Sequence, residues 1–241
     1  MYFHINRKID SLQFTVYYSM IKENLNKVLS TIKPGVRLVA VSKFHPVEML
    51  QEAYDAGQRI FGESHVQEMV EKEAQLPKDI EWHFIGHLQT NKVKYMAPFV
   101  SLIHAVDSLK LMREIDKQAA RCDRVINCLL QIHIAKEETK FGFSPDELHQ
   151  MLQQGEWKEL KNVRICGLMC MATNTDDEGQ IEEEFKYARS IYEEIKKTYF
   201  PDDESFKELS MGMSGDYMIA QRCGSTMIRV GTMIFGERIY A

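Results

Sequence analysis

The sequence predicts an α/β fold: a (β/α)8 barrel preceded by a long N-terminal helix. Three observations predict it. Strand-like apolar runs alternate with helix-like segments, a pattern that places a parallel sheet under a layer of helices. The strand-like runs number eight, as a closed barrel needs. The first, Arg37–Ser42, runs into Lys43-Phe44-His45-Pro46 without a glycine. A doubly wound open sheet, the competing arrangement, usually carries a Gly-rich loop at that point.

Taken in order, Ile9, Leu12, Val16, Met20, Leu25, Val28, Leu29 and Ile32 recur at helical spacing. They predict one amphipathic helix, ended by Lys33-Pro34-Gly35. Strands are expected at Arg37–Ser42, Arg59–Gly62, Trp82–Gly86, Leu102–Val106, Val125–Ile134, Val163–Met169, Glu208–Met211 and Met227–Val230. Helices are expected between them at Val47–Ala56, Val66–Ala74, Thr90–Met96, Leu109–Ala120, Pro145–Leu152, Ile181–Lys197 and Ser214–Arg222. Pro46 and Pro145 open two of these, since proline suits the first helical turn. Ser144-Pro145-Asp146-Glu147 has the spacing of a capping box. Residues 173–179 are polar and turn-rich and read as an exposed βα loop, so the chain is expected to be one domain over residues 1–241.

Composition narrows the function classes. A chain of 241 residues with 44% hydrophobic content buries a sizeable core without staples. The net charge of −5 comes from interspersed charges of both signs, which leaves no basic footprint for nucleic acid. No apolar run reaches the length of a membrane span, and Met1-Tyr2-Phe3-His4 does not open a signal peptide. Five cysteines without a CxxC pair argue against a disulfide framework or a zinc ribbon, and a reducing, cytoplasmic setting is expected. Cys166 and Cys170 read as buried packing residues. His83 and His87 stand four apart, but on a strand and its following loop and without the intervening Glu of a helical zinc motif, so no metal site is expected.

Barrel chemistry sits at the C-terminal ends of strands. The first strand delivers Lys43 there. Burial disfavours an ammonium and favours the neutral, nucleophilic amine a Schiff base needs; the alternative is a lysine whose head reaches solvent. The second strand delivers Glu63 and Ser64, read as a strand end and a helix cap, with Glu63 also a possible partner of Lys43. The last two strands are more specific, because phosphate sites of such barrels form after strands seven and eight. Ser214 offers a hydroxyl that caps the next helix or meets a phosphate oxygen. Gly231 and Thr232 offer backbone N–H groups and a second hydroxyl. Arg229 lies within the apolar Met227–Val230 run, where a buried guanidinium demands an acceptor, either a structural carboxylate or a bound ligand. Glu182-Glu183-Glu184 reads as a solvated helix face. An amine, a phosphate cradle and an arginine at one mouth suit a phosphorylated aldehyde.

Five blocks in order carry a family resemblance. They are Val39-Ala40-Val41-Ser42-Lys43; Phe61-Gly62-Glu63 with Gln67-Glu68; Trp82-His83-Phe84-Ile85-Gly86 with Leu88-Gln89 and Asn91-Lys92; Leu209-Ser210-Met211-Gly212-Met213-Ser214; and Gly224-Ser225-Thr226-Met227-Ile228-Arg229-Val230-Gly231-Thr232 with Ile234-Phe235-Gly236. From about Arg37 onward the chain resembles the YggS/PROSC-type pyridoxal-phosphate-binding proteins, the PLP homeostasis family. The resemblance implies a barrel like the alanine racemase N-terminal domain and pyridoxal 5'-phosphate as cofactor. It implies Lys43 as the residue holding the cofactor in an internal aldimine, Ser214, Gly231 and Thr232 on the phosphate, and Arg229 facing the pyridine nitrogen. Two positions depart from the family pattern: Ser64 stands where Asn is common, and His87 where Pro is frequent.

The expected role is a cofactor carrier or homeostasis factor with no robust catalysis and no catalytic residue assigned. An arginine at the pyridine nitrogen keeps it unprotonated, which weakens the electron sink. The chain ends at Ala241, after the eighth strand, so the second domain that completes an alanine racemase site is not expected, and a monomer is. Apo PLP-dependent enzymes are the expected recipients. The alternatives are a racemase-like PLP enzyme, a lysine-dependent aldolase on a sugar phosphate, and a protein-interaction module.

Overall fold

In the computed structural model, residues 11–135 and 141–237 are described, with side chains from residue 20 onward. The strands are β1 (Arg37–Val41), β2 (Ile60–Glu63), β3 (Glu81–Phe84), β4 (Leu102–Val106), β5 (Ile126–Gln131), β6 (Val163–Met169), β7 (Glu208–Ser210) and β8 (Met227–Val230). Each is parallel to its neighbours, and β1 pairs with β8 from Arg37↔Met227 to Ala40↔Val230, which closes the barrel. The strands are short and largely apolar, as fits a sheet buried on both faces.

Two cores follow from the alternation of side chains across a strand. Leu38, Ala40, Phe61, Trp82, Phe84 and Ile103 belong to the larger core, which the helices cover. Val39, Leu102, Leu129, Cys166, Met169 and Met227 pack together inside the barrel. The barrel is therefore filled at mid-height, and its two ends are separate places.

The helices are α1 (Ser11–Leu29), α2 (Val47–Asp55), α3 (Val66–Gln75), α4 (Val93–Met96), α5 (Leu109–Arg121), α6 (Pro145–Gln154), α7 (Glu178–Tyr199), α8 (Tyr217–Arg222) and α9 (Thr232–Phe235). In α1, Ile21, Leu25 and Val28 are buried at helical spacing. The helix packs on α2 and α9, and the Asn24 amide donates to the Ile234 carbonyl at 3.3 Å. Ser144 and Glu147 form the capping box that opens α6. Ser108 and Asp177 cap α5 and α7.

Some boundaries differ from the sequence reading. Ile9 lies outside the described residues, and α1 stops at Leu29. β5 is shorter than expected, with Ile132 continuing only as an isolated bridge to Phe143. The helix expected from Ser214 begins at Tyr217, because Asp216 occupies the N-cap position. Glu184 is buried, not solvated: its carboxylate accepts from the Thr173 N–H at 2.6 Å and the Thr173 hydroxyl at 2.7 Å, tying α7 to the loop after β6.

Candidate functional site at the C-terminal mouth

The five residues singled out at the strand ends come together. Lys43, Ser214, Arg229, Gly231 and Thr232 all border one cavity of about 240 Å³ at the C-terminal end of the barrel. Lys43 follows β1, Ser214 lies between β7 and α8, Arg229 is on β8, and Gly231 and Thr232 lead into α9. Val41, Ile85 and Met171 give the cavity apolar wall. His45 also borders it, is buried, and lies against the Phe235 ring at 5.2 Å. The sequence reading assigns His45 no role at the site.

The loop carrying Lys43 is held from beneath. Ser42 donates its hydroxyl to Glu63 at 2.6 Å. The Lys72 ammonium, 4% exposed on α3, donates to the Ser42 carbonyl at 2.7 Å, to Glu63 at 2.8 Å and to Glu68 at 2.7 Å. Glu68 in turn accepts from the Phe44 N–H at 2.6 Å. Both neighbours of Lys43 are thus fixed to one carboxylate–lysine–carboxylate cluster. Phe44 takes a left-handed φ of 67°, which a non-glycine residue adopts only where its surroundings impose it. Burial pushes the Glu63 carboxyl up to about 7, with Lys72 acting in the opposite sense. Glu63 thus holds the Ser42 side chain and Lys72 and does not border the cavity.

The anion-binding side is set by two glycines. Gly212 has φ 96°, and a Cβ there would lie 2.6 Å from the Ala220 Cβ and 2.9 Å from the Tyr217 Cα. The tight exit from β7 turns the chain so that Ser214 faces β8, and Asp216 fixes it by accepting from the Met213 N–H at 2.5 Å. At Gly231 a Cβ would lie 2.9 Å from the Val41 carbonyl oxygen, so only glycine lets the end of β8 approach β1 this closely. The Gly231 N–H donates to the Ser214 hydroxyl at 3.2 Å. Ser214 does not cap the following helix; its hydroxyl points across to the residues after β8.

Arg229 is 3% exposed. It donates to the Ser210 hydroxyl at 2.7 Å and to the Cys170 carbonyl at 3.0 Å. Its acceptors are neutral oxygens and not the structural carboxylate weighed from sequence. Burial lowers the proton affinity of the guanidinium from its ordinary value, opposed by the Cys170 thiol and Asp216.

Ser64 and His87 stand away from the cavity lining. The Ser64 hydroxyl meets the His65 ring at 3.3 Å, and His65, not Ser64, is the N-cap residue of α3. His87 pairs with Asp107 at 3.1 Å and stacks on Phe141 at 3.9 Å. Lys136, Glu137, Glu138 and Lys140 lie outside the described residues. Among the described residues no group of His, Cys, Asp and Glu has the arrangement of a metal site, and no helix is long and apolar enough to cross a membrane.

The chain is thus a parallel eight-stranded barrel with a lysine after β1 and hydroxyl and amide donors after β7 and β8. The family model "Alanine racemase, N-terminal domain" matches residues 16–239. A pyridoxal phosphate homeostasis protein of Aquifex aeolicus is 37% identical over 229 residues, spanning 90% of this chain and 98% of that protein. The chain belongs to the pyridoxal phosphate homeostasis protein family. PipY of Synechococcus elongatus, solved with PLP bound, is 38% identical and superposes with a TM-score of 0.81 over 90% of this chain and 100% of that one. An alanine racemase of Clostridium difficile shares the fold alone, at 12% identity and a TM-score of 0.72 over 91% of this chain and 57% of that one.

Proposed function

We propose that this chain binds pyridoxal 5'-phosphate reversibly at the C-terminal mouth and serves the homeostasis of that cofactor. One observation carries the reading. Lys43, Ser214, Arg229, Gly231 and Thr232, distant in sequence, border a single cavity in a chain 38% identical to a protein solved with PLP bound.

The residues fit the group. The Ser214 and Thr232 hydroxyls and the Gly231 N–H are donors on one side of the cavity, as a phosphate requires. Lys43 brings a primary amine, which joins an aldehyde carbon with loss of water and is freed again when water returns. Arg229 is suited to a ring nitrogen that accepts. PLP, when bound, supplies an electron sink for amino-acid chemistry. A guanidinium holds its protons and would leave that nitrogen unprotonated, which would weaken the sink. Racemisation with a weak sink requires acid–base groups on both faces of the substrate, and this supports storage and transfer to apo-enzymes as the role. The reading requires no second subunit, and a monomer is proposed. Five free cysteines support a reducing compartment such as the cytoplasm.

The test is the absorbance spectrum of the protein loaded with PLP and dialysed. A visible band is expected in the native protein and absent in Lys43→Ala. Ser214→Ala is expected to keep the band on loading and to lose it faster on dialysis. A wild-type protein that takes up no PLP would sink the reading.

A further inference from the structure

The barrel has a second cavity, of about 580 Å³, at the opposite end, where the strands begin. Leu102 and Cys166 of the inner apolar layer line it, so that layer separates it from the mouth. Its polar lining includes Arg37, Glu81, His83, Arg164, Lys207 and Glu208. Two of these neutralise each other: Arg37 pairs with Glu208 at 2.8 Å, and the second Glu208 oxygen accepts from the Thr226 hydroxyl at 2.9 Å. Arg164 and Lys207 form no ion pair among the described residues, and neither does Glu81. Arg164 has only a long contact to the Asn127 side chain at 3.5 Å. Two uncompensated cations thus stand beside β6 and β7, with one carboxylate on β3 across the barrel.

A hydrogen-bonded chain adds a fixed donor. Arg229, a pure donor, bonds the Ser210 hydroxyl at 2.7 Å. Ser210 lies 3.0 Å from His104 Nδ1, and His104 Nε2 lies 3.0 Å from His83 Nδ1. The Ser210 oxygen accepts from Arg229, and among the described residues His104 Nδ1 is the one acceptor within reach of its proton, so we assign that proton to the Ser210–His104 bond. With the Ser210 proton on that bond, the protons of the two rings fall on His104 Nε2 and His83 Nε2. Burial holds both rings neutral: His83 is pushed down to about 3, with Arg37 adding to the effect, and His104 lies well below its ordinary range. His83, 1% exposed, borders the lower cavity. Its Nδ1 is taken by the chain, so its Nε2–H is the group left for a ligand.

We propose that this lower cavity is a second binding site, for a small organic anion. Its acid group takes Arg164, Lys207 and the Nε2–H of His83, and a hydroxyl or ammonium at its far end meets Glu81. The proposal does not rest on the reading of the mouth, because the two sites share no lining residue. The chain through Ser210 and His104 joins them through bonded contacts alone.

Calorimetric titration with malate, and separately with inorganic phosphate, tests it on the native protein, on Ser214→Ala and on the double variant Arg164→Gln/Lys207→Gln. Arg164 and Lys207 are exposed, so the double variant is expected to fold, which circular dichroism checks. Saturable malate binding is expected in the native protein and in Ser214→Ala. Loss of charge-assisted bonds in the double variant weakens it by about tenfold or more. In the native protein malate is also expected to shift the 15N resonances of a neutral histidine. No saturable binding of either probe overturns the proposal. So does a loss in Ser214→Ala as large as that in the double variant, which would place the anion at the mouth.

Discussion

Replacing Lys72 by methionine removes the cation that holds both neighbours of Lys43. The native ammonium donates to the Ser42 carbonyl, to Glu63 and to Glu68, all within 2.8 Å. Breaking a buried ion pair by deleting one partner typically costs about 3–5 kcal/mol. Glu63 has a partial escape, because it can bind a proton. Its carboxyl is already pushed up to about 7 by burial, with Lys72 opposing. A carboxyl whose folded value is raised loses stability as pH rises from its ordinary range through the folded value. In Lys72→Met the folded value rises further, so the loss continues into alkaline pH. At pH 8.5 the expected cost is about 3 kcal/mol. At pH 5.5 Glu63 is protonated in both proteins, and only the bonds to Ser42 and Glu68 are lost, about 1–2 kcal/mol. Urea unfolding at the two pH values measures the difference. A second variant, Lys72→Met/Glu63→Gln, is expected to recover most of the alkaline loss. The argument fails if the cost of Lys72→Met is equal at both pH values, or larger at pH 5.5. The PLP band of the variant is expected to decay faster on dialysis, since Ser42 and Phe44 no longer hold Lys43 between fixed points.

Two other perturbations follow from the same packing. Gly231→Ala puts a Cβ 2.9 Å from the Val41 carbonyl, and separating β8 from β1 costs about 1–3 kcal/mol, read as a lower urea midpoint together with weaker PLP retention. Glu52 is buried on α2, and burial pushes it up to about 7 against backbone hydrogen bonds from Lys22 and Ile21. Stability therefore falls between its ordinary value and about pH 7, and Glu52→Gln is expected to stabilise the protein by about 1 kcal/mol at pH 8 and by less at pH 5; a thermal melt with the same gain at both pH values would contradict this.

The sequence made the barrel legible because its period is simple. Apolar strands and amphipathic helices alternate with short connections, and each burial pattern is local. The mouth residues were legible for a related reason: each stands next to its strand end, so one count along the chain places it. What supports them was not. Lys72 sits four residues after Glu68, the spacing of an ordinary solvated helix pair, and nothing nearby in sequence shows that Ser42 and Glu63 close over it. His104 lies in the run Leu102-Ile103-His104-Ala105-Val106 and passes for an isolated core polar residue. Its partners are on β3 and β7, and that on β7 is more than a hundred residues away. For Ser214 the sequence left a helix cap and a phosphate donor side by side, because a serine before a helical pattern usually caps it. The competing Gly231 N–H becomes visible only when β8 is placed beside β7.

That bond between the Gly231 N–H and the Ser214 hydroxyl has a kinetic consequence. A buried donor stripped of its acceptor penalises the state that exposes it. Here the departure of an anion leaves the amide with a partner 3.2 Å away, already oriented. The vacated state is therefore not raised in free energy by a stranded amide, and the barrier to unloading is lower than the donor count implies. A site built this way trades residence time for turnover, the balance that the proposed carrier role requires.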